Sequence, residues 1–187
     1  MSFVTQQDVF DVMEPLFRKL TREFSAKQMD DKPFVQIPWR EAMTTYGVDK
    51  TDLRFDMKIV PISHLVKDSE FGVFSGAIKD GGVVHAMRVQ GGAQFSRSFI
   101  DNLTDIAKEK GAKGLAYIIM KEGGPQSPIL KFLGDDLDTI VTTLEAKTGD
   151  IIFFGADKWR TVCDALGAVR CSLAGCVKAA HGFRSQI

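Results

Sequence analysis

Between Thr5 and Phe24, the apolar residues Val9, Val12, Met13, Leu16, Phe17, Leu20 and Phe24 recur every three or four positions. That spacing draws one apolar stripe down a helix. Thr5 stands where an N-cap is expected, with Asp8 near the positive helix end. Pro15 interrupts the pattern, because an interior proline removes one ladder bond and costs about 3 kcal/mol. A kink or a restart of the helix is therefore expected at Glu14–Pro15. Met29 to Pro33 reads as a turn and Phe34 to Ile37 as a short strand. Arg40 to Tyr46 forms two helical turns, stopped by Gly47 at the C′ position.

From Met57 the texture changes to short apolar runs and turns. Met57 to Ile62 and Glu70 to Ile78 read as strands, and Lys79 to Gly82 (KDGG) as a hairpin turn. Val83 to Val89 alternates as the returning strand. Gly91 and Gly92 break it, and Ser96 caps a helix in which Phe95 and Ile100 are placed for a hydrophobic staple. Phe99, Ile100, Leu103, Ile106 and Ala107 form its buried stripe, and Gly111 closes it. Leu115 to Met120 is a buried strand. Asp135 or Asp136 caps a further helix with Leu137, Ile140, Val141 and Leu144 on one face. Ile151 to Phe154 is another strand, and helix resumes from Lys158. Strands and helices alternate only in part, and an antiparallel turn is expected, so the class is α+β rather than a doubly wound parallel sheet. The expected boundaries fall near Asp56 and Gly149.

Composition narrows the field. The 187 residues are 44% apolar and include 14 phenylalanines, enough for a substantial core. Basic and acidic residues balance at 24 each, unlike the basic excess of a dedicated nucleic-acid binder. No apolar run approaches the ~18–20 residues of a membrane span, and the N-terminus lacks signal-peptide character. Cys163, Cys171 and Cys176 are late and odd in number, so no disulfide framework is indicated and a reducing, cytoplasmic setting is expected. Cys171, Cys176 and His181 recur every five residues, but five residues turn about 140° around a helix. Their side chains diverge, and no second cysteine pair completes a zinc site.

The usual catalytic patterns are missing. The glycine pairs have neither GxGxxG nor GxxxxGK[ST] spacing, and Gly91–Gly92 before a helix start has only the outline of a phosphate cradle. No serine sits on a GxSxG elbow. His64 follows a strand in a turn, His85 alternates within a strand, and His181 lies in the tail. The neighbouring acids Asp30–Asp31 and Asp135–Asp136 point in different directions. Polar chemistry concentrates instead in the turn from Tyr46 to Phe55, YGVDKTDLRF. On one reading Asp49 and Asp52 accept backbone N–H bonds there while Arg54 pairs with a carboxylate. On the other, Lys50 and Arg54 face RNA phosphate. Lys108, Lys110 and Lys113 admit a similar pair of roles, complementing a helix dipole or touching RNA.

That decapeptide resembles the YGxDKxDLRF signature of bacterial-type aspartyl-tRNA synthetases, which lies between the second and third class II motifs. VQGGAQFSRSFIDNLTDIAKEKGAKGLAYI, SPILKFL and GDIIFFGADKWRTVCDALGAVR follow in the order that family shows, over residues 1–170. The resemblance implies three parts. Residues 1–56 are similar to the catalytic-domain segment after motif 2. Residues 57–149 resemble the GAD insertion domain, an α+β unit with a mainly antiparallel sheet and packed helices. Residues 150–187 return to the catalytic domain, with an atypical tail at 171–187. A related domain occurs in the B and E subunits of tRNA-dependent amidotransferases, but the flanks here look like the synthetase. Thr51 stands where the family usually has proline, and Pro15 interrupts a helix that is usually continuous.

In such enzymes aspartate is activated by ATP and passed to the tRNA 3′ end. The resemblance implies tRNA and the rest of the synthetase catalytic domain as partners, a homodimeric cytoplasmic parent, no membrane association, and ATP with Mg²⁺ for the whole enzyme. No position here matches a catalytic residue of the family, so no catalytic residue, cofactor site or metal ligand is assigned. The isolated chain is expected to be an inactive fragment. Lys50, Arg54 and Lys113 are the candidate tRNA contacts. The alternative is a stand-alone GAD-type module that binds tRNA or a subunit without catalysis.

Overall fold

The computed structural model describes residues 3–134 and 136–181, with side chains as far as residue 174. The chain divides into two compact units, one reaching residue 37 and the other beginning at residue 38. In the first, helix α1 (Gln6–Phe24) starts at Thr5 in a capping box. The Thr5 hydroxyl accepts from the Asp8 N–H at 3.3 Å, and the Asp8 carboxylate takes the Thr5 N–H at 2.7 Å, so two orphan donors are satisfied together. The expected restart at Pro15 does not occur, and the helix runs on through it. The expected strand at 34–37 is also absent: this segment has no regular secondary structure. Arg18 organises it, donating to the carbonyls of Asp30 and Lys32 while lying 4.9 Å from the Phe34 ring centroid. The apolar stripe of α1, from Val9 to Phe24, is exposed.

The second unit is built on a five-stranded antiparallel sheet, so the α+β class holds. Its strands are β1 (Ile59–Pro61), β2 (Val83–Val89), β3 (Ala116–Lys121), β4 (Gly124–Gln126) and β5 (Ile151–Asp157), in the order β1-β2-β5-β3-β4. The last strand in sequence is thus the central one. Both faces of the sheet are covered, which explains why its strands read as nearly continuous apolar runs. Ile151 and Phe153 of β5 point into a core shared with Met87, Val89, Leu103, Leu166 and Val169. Ile152 and Phe154 point into a second core with Ile62, Phe74, Val84, Ile118 and Ile140. Each fully buried side chain of this size contributes about 1.5–3 kcal/mol, so β5 ties both cores together.

Helices α4 (Arg97–Glu109) and α6 (Trp159–His181) contribute to the first core, and α3 (Gly72–Lys79) and α5 (Asp136–Thr143) to the second. Ser96 caps α4 by accepting from the Phe99 N–H at 3.2 Å. Asp136 lies within the first turn of α5, while Asp135 falls outside the described residues. The segment at 70–78, expected as a strand, is helix α3 instead. Phe71, Phe74 and Ile78 recur at three and four residues and all face the second core, a helical period that the Val/Phe/Ile content obscured. KDGG is accordingly a helix stop and not a hairpin. Gly81 is left-handed at φ 73°, and the Gly82 N–H donates back to the Ala77 carbonyl at 2.8 Å, the 6→1 bond of a Schellman cap.

Helix α2 (Trp39–Tyr46) ends at Gly47, left-handed at φ 73° as its C′-type position requires. Gly47 also lies against α6: a Cβ there would fall 2.3 Å from the Gly167 Cα and 2.5 Å from the Cys163 carbonyl oxygen. Only a pair of glycines permits this crossing. Gly167→Ala should therefore destabilise the protein by about 1–3 kcal/mol through overpacking, although alanine in a helix is normally the better residue. Gly76→Ala, whose Cβ would meet nothing within 4 Å, should instead stabilise by about 0.4–1 kcal/mol. Urea unfolding of the two variants checks the opposite signs.

His85 lies in β2 with Nδ1 buried and without a hydrogen-bond partner among the described residues, and burial pushes its pKa down to about 4. An unfolded chain binds a proton near pH 6.5 that the folded one refuses, so stability must fall as pH drops through that window. By pH 5 the loss should reach about 2 kcal/mol. Unfolding curves at pH 7 and pH 5 for wild type and His85→Gln should show that difference shrinking in the variant.

Candidate functional site

The turn singled out in the sequence is anchored from beneath by one residue of α6. Arg170 has an exposure of 0%. Its Nε donates to the Met57 carbonyl at 2.7 Å, and its Nη2 donates to the carbonyls of Asp52 and Phe55 at 2.8 and 3.2 Å. The guanidinium carbon lies 4.1 Å from the centroid of the Phe55 ring and 5.0 Å from that of Tyr46. Burial lowers its pKa, and the field of Asp52, Tyr46 and Asp56 opposes that shift. An arginine starts so high that it stays charged. Carbonyl dipoles and ring faces meet Nε, Nη2 and the plane, contacts that lysine's compact ammonium cannot reproduce, while Nη1 is buried with no hydrogen-bond partner among the described residues.

On the outer side of the turn, Asp52 organises the chain. One carboxylate oxygen accepts the Arg54 N–H at 3.0 Å and its Nε at 2.8 Å, and the other accepts Nη2 at 2.6 Å. Asp52 and Arg54 thus follow the first of the two readings, a carboxylate bracing its own turn. Asp49 departs from it by pairing with Lys50 at 3.4 Å. The Lys50 ammonium is exposed and free to turn toward solvent, since a neighbouring surface pair of this kind is worth at most about 1 kcal/mol. Lys113 is elsewhere, exposed in the connection from α4 to β3, beside a shallow groove that Lys158 and the α3 glycines also line. Lys108 pairs with Asp105 at 3.2 Å, and Lys110 is the C-cap of α4.

Residues that pattern alone did not select also converge near this turn. Trp39 opens α2 and Trp159 opens α6, and their rings meet edge to face at 5.9 Å. The Trp159 Nε1 donates to the Thr44 hydroxyl at 3.3 Å, and the Arg40 guanidinium lies 4.9 Å from the Trp159 ring centroid. The readable signal for Arg170 was its place at i+4 and i+8 from Leu166 and Val162, in the middle of an apolar stripe.

Burial pushes the Cys163 thiol up to about 11, far from the thiolate a nucleophile needs. A Cβ on Gly92 would fall 2.2 Å from the Ile151 Cγ2, so that glycine serves packing. Among the described residues no group of three acids, histidines or cysteines could hold a metal ion. The side chains of Cys176 and His181 lie outside the described residues. Among the described residues no helix is long and apolar enough to cross a membrane.

Arg170→Met should leave the three carbonyls without a donor. At about 1–3 kcal/mol for each unsatisfied group, a loss of at least about 3 kcal/mol is expected in urea unfolding, with faster hydrogen exchange across residues 52–57. A loss below about 1 kcal/mol would show that the turn does not depend on this residue.

Comparison with known proteins places this geometry. Residues 74–166 match the GAD domain family, from within α3 to the first turns of α6. An aspartate--tRNA(Asp/Asn) ligase of Halothermothrix orenii is 45% identical over 175 residues, which cover 93% of this chain and 29% of that protein. The enzyme of the same name from Bacillus subtilis (strain 168) is 41% identical over 92% of the chain and 29% of its own length. That of Chlorobium phaeobacteroides (strain BS1) is 40% identical over 91% of the chain. The chain spans about 28% of the length of the first of these relatives. With the GAD match in its middle and the likeness extending to both sides, the chain belongs to the aspartate–tRNA ligase family, in which it corresponds to the segment that carries the GAD domain.

Proposed function

We propose that this chain works as the GAD-bearing segment of an aspartate–tRNA ligase, an enzyme that joins L-aspartate to tRNA through an aspartyl-adenylate formed from ATP. The observation that carries this reading is the extent of the likeness. Identity of 40–45% runs over 91–93% of the chain, well beyond the GAD match at 74–166. A likeness confined to the GAD domain would suit any GAD-bearing protein; likeness in the flanks suits the ligase. On this reading ATP, Mg²⁺ and the reacting carboxylate are held by parts of the enzyme outside this segment. The enzyme acts in the cytoplasm as a homodimer.

The segment's own contribution is to buttress the catalytic domain and to meet tRNA. Lys50 and Lys113, both exposed, supply phosphate contacts, and Arg54 adds the edge of its guanidinium that Asp52 leaves open. Such contacts act by neutralising phosphate charge and releasing counterions, so they weaken as salt rises.

The test is a graft of this chain in place of the matching segment of the Bacillus subtilis relative. The chimera should aspartylate tRNA within about tenfold of the parent, while the chain alone should give no aspartate-dependent ATP–pyrophosphate exchange. In the chimera, Lys50→Glu with Lys113→Glu should raise KM for tRNA and leave the exchange reaction unchanged. A folded chimera that does not aspartylate overturns the reading. Salt-sensitive tRNA binding by the chain beside such an inert chimera would point to a stand-alone binding module instead.

A further inference from the structure

The two tryptophans of this chain are brought together by the folding of segments 120 residues apart, and they are held very differently. Trp159 is fixed: its indole N–H is taken by Thr44 and its ring face carries the Arg40 guanidinium. Trp39 packs against it at 5.9 Å but keeps 52% of its surface exposed. The buried apolar positions of α2 are Ala42 and Met43, so the core does not require an indole at position 39. A large exposed aromatic with a rigid ring behind it is a platform, preorganised at little entropic cost.

The charges around it indicate what it fits. Arg40 rests on the Trp159 ring and forms no ion pair among the described residues, so no carboxylate there neutralises its charge. Arg160, one residue beyond Trp159, is exposed and pairs with Asp164 of its own helix. Glu41 and Asp49 are the acids close by in sequence or field. The exposed Trp39 ring and the Arg40 guanidinium both lie against Trp159, so an aromatic surface and a cation share one support. An aromatic face next to a cation suits a nucleotide, which brings a stacking surface and a phosphate together.

We infer that Trp39 and Arg40 form a stacking site for an unpaired RNA nucleotide, with the base on Trp39 and the phosphate at Arg40. The site rests on the tRNA reading above and adds to it where on this segment a single-stranded stretch is held. A duplex, whose bases are already stacked, offers no free face to Trp39, so discrimination between single and double strands is built in.

The two tryptophans provide the reporter. The full chain is titrated at low salt with a uridine dodecanucleotide and with an RNA duplex of equal length, following intrinsic fluorescence. The single strand should quench emission and bind more tightly than the duplex. Trp39→Ala should weaken single-strand binding about tenfold to a hundredfold, as for other base-stacking aromatics. Trp39→Phe should restore most of it, and Arg40→Gln should flatten the salt dependence by about one phosphate contact. Circular dichroism of each variant guards against misfolding. Unchanged binding by a folded Trp39→Ala variant overturns the stacking site and leaves the tRNA reading standing. Absence of binding to any RNA overturns the site as well, while the chimera still decides the synthetase reading. If the RNA-free chain self-associates in sedimentation and Trp39→Ala abolishes that, the surface is a protein contact and the inference fails.

Discussion

The buried guanidinium of Arg170 is the constraint on which the turn from Tyr46 to Met57 depends. A charge taken fully out of water is tolerable only where dipoles and ring faces replace its hydration. Here the replacements come from one short stretch, the carbonyls of Asp52, Phe55 and Met57 and the ring of Phe55, with Tyr46 adding a second ring. The dependence is mutual. A turn with three carbonyls aimed inward cannot persist without a donor, and the donor cannot be buried without the turn. Asp52 then uses its side chain on the outer surface, so the inner and outer faces of the turn are braced independently.

The central position of β5 extends the same logic to the whole second unit. Its neighbours in the sheet come from chain segments on either side of α4, and it passes directly into α6, which carries both Gly167 and Arg170. Gly167 admits the end of α2, and Arg170 admits the turn after it. The geometry of this turn therefore depends on residues more than a hundred positions away, delivered by a strand locked from both sides.

How much of this was legible depended on how local its cause was. The caps at Thr5 and Ser96, the stop at Gly47 and the buried face of α4 each rest on residues within a few positions, and each was read correctly. The pairing of Asp52 with Arg54 is also local and was anticipated. Residues 70–78 were misread because phenylalanine, valine and isoleucine favour strands, while the three- and four-residue spacing of Phe71, Phe74 and Ile78 governs burial. The unpaired stretch at 34–37 has strand composition but no partner strand, which no local pattern reveals. Gly47 was recognised as a helix stop, but its second role against Gly167 was invisible, as were the Arg170 carbonyl cluster and the meeting of Trp39 with Trp159. These contacts join positions that only the finished fold brings together.

A sheet whose middle strand arrives last has a consequence for the chain as it is made. β1 to β4 are complete by Gln126, yet β2 and β3 do not pair with one another and must wait for β5, which ends at Asp157. At about 5–20 residues per second of synthesis, those further residues occupy the ribosome for a few seconds. During that interval two apolar strand edges stand open on the nascent chain. The lysine on β3 and the arginine on β2, Lys121 and Arg88, are the kind of charge that discourages an open strand edge from pairing with another chain.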